Sequence, residues 1–412
     1  MSNGLGEVVE AAKKAEIAEK LSDKPLCDHC LGRLFGKVST GLDNPSRGGA
    51  IRESLGLEKG MKCWLCEGLF DEIEKFCDMI DEELENIEYE SFLVGSRIDP
   101  EIESREENLW VELDLHDFEI AKAEMNREIG KILEPRTGKV VDFKRPEVVA
   151  LMNTAFDDVE LTINPIFVYG RYKKFVRDVP QTTWSCRSCW GVGCEKCDNT
   201  GKEYQDSVKD LIGEPFLMET DSEDYSFHGA GREDVDVKML GRGRPFVLEL
   251  SRPKKRTIDL EKMQKEVNRS EAIEVTDLKP SSRKEVAELK TARYSKSYKA
   301  IVELDRPVPE QKLKEVVSSF KGVEIAQQTP ARVAKRRADK VRKRTIQDIE
   351  ATLLDDGTAE IYIKAEAGTY IKELVNGDEG RTRPSLAEML GVGCRVRFLD
   401  VMDIHDEDGE DG

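Results

Sequence analysis

Apolar positions recur with helical spacing from Val8 to Leu21, and the run ends at Ser22-Asp23-Lys24-Pro25, so an amphipathic helix is expected there. From about Asp71 the pattern changes period repeatedly. "SFLVGSRIDP" (91–100) and "NLWVELDLHD" (108–117) alternate apolar and polar residues and read as strands. "EIAKAEMNREIGKIL" (119–133) has a helical stripe, and "DVELTINPIFVYGRYKKF" (158–175) reads as a pair of strands with a basic exit. Further on, "RPFVLEL", "YKAIVEL" and "CRVRFLDV" read as strands, and "ATLLDDGTAEIYIKAEA" as a hairpin turning at Asp-Asp-Gly-Thr. Helical spacing returns in "LEKMQKEVN", "PEQKLKEVVSSF", "YIKELVN" and "SLAEML".

This mixture predicts an α/β (α+β) chain of several domains, and 412 residues are enough for several cores. The expected divisions are 1–70, 71–184, 185–202, 203–404 and an acidic tail at 405–412. The formal net charge of −19 would repel a polyanion if it were evenly spread, and it is not. The acidic excess lies in stretches such as 78–90 and in the tail, whereas Arg332 to Arg344 holds eight basic residues against one acid, Asp339. That segment is expected to contact phosphates, with Arg332, Lys335, Arg336 and Arg337 as its leading residues. No apolar run approaches the roughly 20 residues needed to cross a bilayer, and the first residues lack an apolar signal core. A soluble, cytoplasmic monomer is expected.

Eight of the ten cysteines fall into four Cys-x-x-Cys pairs, which in a reducing compartment argues for metal rather than disulfides. A Cys-x-x-Cys turn supplies two thiolates with the right bite for one tetrahedral zinc, and two turns complete the set. Cys27, Cys30, Cys63 and Cys66 form one predicted structural zinc site, with His29 as an alternative ligand. Cys186, Cys189, Cys194 and Cys197 form the second, where Gly191 and Gly193 let the backbone reverse tightly. Cys77 and Cys394 are left as small core residues.

Three short motifs stand together in the last part of the chain: "GREDVDV" at 231–237, "KSYKAIVEL" at 296–304 and "AGTYIKELV" at 367–375. Their order and chemistry resemble the pseudouridine synthases, which carry Gly-Arg-x-Asp, a Lys-x-Tyr strand and a Gly-Thr-Tyr-Ile-Arg/Lys turn. With the amino-terminal cysteine pairs, "CLGRLFGK" and "GRGRPFVLEL", the chain is similar over nearly its whole length to the archaeal and eukaryotic tRNA pseudouridine synthases that act on uridines 54 and 55 of the TΨC arm. The resemblance implies that 71–184 is a THUMP domain, an RNA-binding fold, and 203–404 a pseudouridine synthase catalytic domain. It implies tRNA as partner, and no cofactor for catalysis beside structural zinc. It makes Asp234 the reactive aspartate, although Asp236 is a rival on spacing alone. Tyr298 would pack on the target base, with Tyr294 as the alternative if the register shifts. Tyr370 would be a second active-site tyrosine, Lys372 would pair with Asp234, and Leu390, before Leu386, would give an apolar floor. Arg232, Arg242 and Arg244 would steady Asp234 and hold flanking phosphates.

Other readings lack their residues. A THUMP-bearing methyltransferase would need a glycine-rich dinucleotide-type turn after an early strand, and a thiouridine synthetase a Ser-Gly-Gly-x-Asp phosphate loop. A zinc deaminase would need His/Cys-x-Glu with Pro-Cys-x-x-Cys. None of these is present. A zinc-dependent RNA-binding or chaperone protein without catalysis leaves the Gly-Arg-x-Asp and Gly-Thr-Tyr-Ile-Lys pair unexplained.

Overall fold

A computed structural model describes residues 3–59, 62–334 and 338–406 of the chain. They divide into two units, one of residues 1–165 with 252–256, the other of 166–251 with 257–412.

The first unit begins with short helices. The predicted helix over 8–21 is broken in two, Asn3–Lys14 and Ile17–Lys20, because Glu16 takes a left-handed backbone (φ 52°). A four-stranded sheet follows in the order Val140–Val141, Ser91–Arg97, Val148–Asn153, Asp158–Ile163. Its first two pairings are parallel and the last is a hairpin with Val148 opposite Ile163. Strand Ser91–Arg97 buries alternate residues as its period requires. The expected strand at 108–117 is instead the end of a helix, Pro100–Leu113. Asp99 caps that helix by accepting from the Glu101 amide, Pro100 starts it, and Ile102, Glu106, Leu109 and Leu113 bury one face. The period-2 look of "LWVELDL" spans too few residues to outvote that helical stripe.

In the second unit a ten-stranded mixed sheet carries the core. Its order is Thr382–Arg383, Val323–Gln328, Val341–Leu353, Ala359–Ala365, Ser295–Leu304, Cys394–His405, Lys238–Ser251, Ile166–Lys174 and Ile273–Pro280, with Asp224–Gly229 also paired to Lys238–Ser251. The expected strand pair over 158–175 therefore splits between two sheets: Asp158–Ile163 stays in the first unit, and Ile166–Lys174 pairs with Lys238–Ser251 and Ile273–Pro280 in the second. Asn164-Pro165 separates them, inside the stretch 71–184 that the sequence reading took as one domain. The predicted hairpin forms, with Leu353 opposite Ala359 across the Asp-Asp-Gly-Thr turn. Along Lys238–Ser251 the run Arg244–Val247 is wholly buried, so this central strand is covered on both faces.

Candidate active site

The three motifs meet in the second unit. Strand Asp224–Gly229 runs into a turn whose Gly231 has φ 82°, and the Val237 amide closes back on the Asp234 carbonyl at 3.1 Å before strand Lys238–Ser251 begins. Inside this turn successive side chains part company. Glu233 is buried and accepts from the Tyr172 hydroxyl (2.9 Å to both oxygens) and from Arg244 Nε (2.9 Å). Burial, then the Glu233 charge, push the Tyr172 phenol well up, so it stays a donor. Arg244 Nη1 also donates to the Ala230 carbonyl (2.7 Å), Gln181 Nε2 to the Gly231 carbonyl (2.9 Å) and Lys174 Nζ to the Val235 carbonyl (3.0 Å). The backbone on both sides of Asp234 is thereby tied to buried groups, and the Asp234 carboxylate points outward, 42% exposed.

Two cations face it. Arg332 Nη1 lies 3.1 Å from Asp234 Oδ2, and Lys372 Nζ lies 3.3 Å from the same oxygen. Each cation is held by a second acid as well: Arg332 Nε donates to Glu373 Oε1 (2.7 Å), and Lys372 Nζ to Asp236 Oδ2 (2.9 Å). Burial works to raise the Asp236 carboxyl, but the bond and charge of Lys372 outweigh it and hold the group below its usual range. Lys372 sits in the first turn of the helix Ile371–Asn376, and Tyr370 is its N-cap. The buried Gln327 side chain fixes Tyr370, accepting from its amide and donating to its carbonyl, both at 2.9 Å.

Several expected roles change. Arg244 is 1% exposed and spent on Glu233 and Ala230, so it cannot reach a phosphate; it shapes the loop instead. Arg242 is drawn to Asp403 (3.2 Å) and to the Ile404 carbonyl (2.9 Å), which ties two strands together. Arg332 turns to Asp234 and Glu373 rather than lying on a free basic face. Arg232 is exposed, with its guanidinium over the Trp184 ring at 5.2 Å. Tyr298 is 8% exposed, and burial pushes its phenol up to about 12. Leu390 is 2% exposed and packs in the core, so it presents no open floor in this state. Lys335, Arg336 and Arg337 lie outside the described residues.

Lys296 escaped the sequence reading although it belongs to the quoted Lys-x-Tyr strand. Its Nζ lies 3.9 Å from where a Cβ on Gly231 would stand, beside Arg244, and burial, then that like charge, lower its pKa to about 8. Glu233, Lys174 and Tyr172 were also missed. Their signal is tertiary: Lys174 and Tyr172 lie far from Asp234 in sequence, and Glu233, its neighbour, turns inward to them.

Both cysteine sets assemble, each with four sulfurs within 4.8 Å of one another. The measured edges, 3.7 Å for Cys27–Cys66, 3.7 Å for Cys194–Cys197 and 3.8 Å for Cys189–Cys197, suit a tetrahedron of thiolates about 2.3 Å from one zinc. Amides of Cys27, Cys30, Gly193, Cys194 and Gly201 point at the sulfurs. His29 is not among the donors: its Nδ1 meets Glu124 Oε1 at 2.8 Å, and its ring stacks on Phe70. Such closed four-sulfur sets suit structural ions.

Comparison with known proteins gives a consistent result. Residues 167–405 match the family described as Pus10, C-terminal, and residues 76–153 match the archaeal Pus10 THUMP domain. The tRNA pseudouridine synthase Pus10 of Methanothrix thermoacetophila is 41% identical, covering 92% of each chain. That of Pyrococcus furiosus is 40% identical over 94% of this chain and 97% of its own, and that of Methanothermobacter marburgensis 43% identical over 93% and 96%.

Proposed function

The chain belongs to the Pus10 family of tRNA pseudouridine synthases, and we propose that it isomerises uridine 54, uridine 55 or both in the TΨC arm of tRNA, with Asp234 as the nucleophile. The observation that supports Asp234 is its position: it is an exposed carboxylate on a loop whose neighbours are fixed by buried bonds, and it faces both Arg332 and Lys372, whereas Asp236, more exposed still, bonds Lys372. An attacking group gains most from being held in one direction before the substrate arrives.

The target uridine is stacked inside a folded loop and must be turned out to react, which loses a few kcal/mol of stacking. Tyr370, half-buried at the start of the helix carrying Lys372, supplies aromatic surface in return. Asp234 attacks the nucleoside as the N1–C1′ bond breaks. The freed base rotates, C5 bonds to C1′ as the bond from Asp234 to C1′ breaks and the carboxylate is regenerated, the C5 proton departs and N1 takes up a proton, so the reaction is an isomerisation that consumes no donor. As Asp234 gives up negative charge to the substrate, Asp236 still holds Lys372 and Glu373 still holds Arg332. Neither cation is orphaned, and both stay in place for the return of the carboxylate. Exposed Arg232 is the remaining arginine of the loop that is open to a backbone phosphate. The two zinc sites hold the amino-terminal module and the loop at 185–202 in shape and take no part in the chemistry.

The test is pseudouridine formation on an unmodified tRNA transcript, with each uridine of the TΨC arm read separately for wild type and Asp234→Asn. Wild type is expected to form product, and the variant to lose roughly 10⁴-fold or more in rate while still binding tRNA. Full activity in the variant would end the assignment, and failure of the wild type at both uridines would end the site range.

A further inference from the structure

The zinc-binding loop at 185–202 carries a side chain that neither folding nor the reaction accounts for. Trp190 is 84% exposed and Val192, two residues on, is 89% exposed. Trp190 also takes a left-handed backbone (φ 57°), between Cys189 and a glycine at φ 98°. A bulky residue is disfavoured there, where glycine or asparagine would fit without strain. Both features work against stability, so the indole is poorly explained as a structural group. Backbone strain retained around an exposed aromatic is a mark of ligand contact.

The loop is nevertheless ordered and held beside the catalytic turn. The Trp190 amide donates to the Cys186 carbonyl (2.8 Å), the Val192 amide to the Cys189 carbonyl (3.2 Å), and the Cys186 amide to the Gly201 carbonyl (2.7 Å). At its base Lys202 Nζ and Thr183 Oγ1 both bond Asp210, at 3.1 and 2.9 Å. Just before the loop, the Trp184 ring lies under the Arg232 guanidinium, and Gln181 bonds the Gly231 carbonyl. The segment leading into the loop is therefore tied to the turn that presents Asp234, and at the start of the loop the Arg187 guanidinium lies 3.6 Å from Glu203.

We propose that Trp190, with Val192 beside it, is an RNA platform that stacks on an unpaired tRNA base near the nucleotide bound at Asp234. The proposal rests on the reading of tRNA as the substrate. An exposed indole suits a base, because every base offers a flat face and stacking needs no particular sequence.

The experiment uses the full-length, zinc-loaded protein and an unmodified tRNA transcript, comparing wild type with Trp190→Gly and Trp190→Phe in tRNA binding, steady-state kinetics and melting temperature. Trp190→Gly is expected to bind about ten-fold more weakly, with the loss falling on KM rather than kcat, and to melt at or above the wild-type temperature because the backbone strain is relieved. Trp190→Phe should restore most of the binding. Unchanged tRNA binding in Trp190→Gly would overturn the proposal and leave the surface to a protein partner. A lower melting temperature with loss of zinc would also overturn it, by showing a structural role. If wild type binds tRNA in a Trp190-dependent way but makes no pseudouridine, the platform stands and the catalytic reading falls. If wild type is active and Trp190→Gly matches it in Kd and KM, the platform alone falls.

Discussion

Replacing Glu233 by alanine tests whether the loop is positioned from below. The side chains of Glu233 and Arg244 are 0% and 1% exposed, and the carboxylate takes the Arg244 Nε donor and the Tyr172 hydroxyl at 2.9 Å each. Removing one member of a buried pair leaves the other charge without a partner, which costs about 3–5 kcal/mol. For a unit of this size each kcal/mol moves the melting temperature by about 2–4 °C. Glu233→Ala should therefore lower the transition of the second unit by roughly 6–20 °C. Glu233→Gln keeps both hydrogen-bonding positions but not the charge, and should fall between. Glu233→Leu combined with Arg244→Met removes both charges at similar volume and should recover much of the loss. The assay is thermal unfolding followed by tryptophan fluorescence, with initial rates of pseudouridine formation measured well below the lowest transition. In the single variant the rate should drop through kcat, because the turn holding Asp234 loses its anchor. A Glu233→Ala protein that melts within a degree or two of wild type would refute the reasoning, and so would a double variant no better than the single one.

Other outcomes follow from the same geometry. Lys372→Met should lower kcat roughly 10²-fold with tRNA binding little changed, and Lys372→Arg should keep part of the activity; equal kcat in wild type and Lys372→Met would remove the lysine from the mechanism. Asp236→Asn should retain most of the activity that Asp234→Asn loses, and the opposite ranking would make Asp236 the nucleophile. Lys296 binds its proton more weakly in the folded chain, at about 8 against an ordinary value of 10.5, so the unfolded chain holds more protons between those values and stability should rise with pH across that window. The melting temperature of wild type minus that of Lys296→Met should climb from pH 8 to pH 10; a flat difference would contradict the buried position. Complete zinc removal should lower the melting temperature and weaken tRNA binding, with metal analysis giving two ions per chain in wild type and one in Cys197→Ala. Unchanged folding and binding after removal would contradict the structural role.

The local chemistry of the site was legible in the sequence because it is written in contiguous motifs. The four Cys-x-x-Cys pairs announce two tetrahedral sets by spacing alone, and Asp234, Tyr370 and Lys372 stand in short runs whose order carries the resemblance. What was illegible is how charges are distributed between elements far apart in the chain. Arg232, Arg242 and Arg244 lie within ten residues of Asp234, and proximity made them look like its partners. The cations that face it come from positions 332 and 372: Lys372 was expected there from the resemblance, while Arg332, expected only as a phosphate contact, was not. Arg244 could not be recognised as a buried anchor because its partner Glu233 lies beside Asp234 in sequence yet faces the other way. The same limit explains the misread stretch at 108–117, where a few alternating residues gave a strand period and the helix cap at Asp99 lay outside the window.

A single arrangement explains why the loop needs this many acids. Asp234 and Asp236 share Lys372, and Asp234 and Glu373 share Arg332, so three carboxylates are set against two cations. Had Asp234 been the only acid, its attack on a nucleoside would leave both cations without a nearby counter-charge and free to follow the substrate phosphates. On the proposed mechanism, Asp236 and Glu373 as second holders would keep the cations in position while the contacts to Asp234 are exchanged. Glu373 is 3% exposed, and its Oε2 is buried without a hydrogen-bond partner, so this acid is fixed more by packing than by a full set of bonds. A carboxylate held that way keeps its hold on Arg332 strong, because no second donor competes for its charge. On the proposed mechanism, sharing its two cations with Asp236 and with the buried Glu373 is what would let an exposed aspartate be both aimed and free to react.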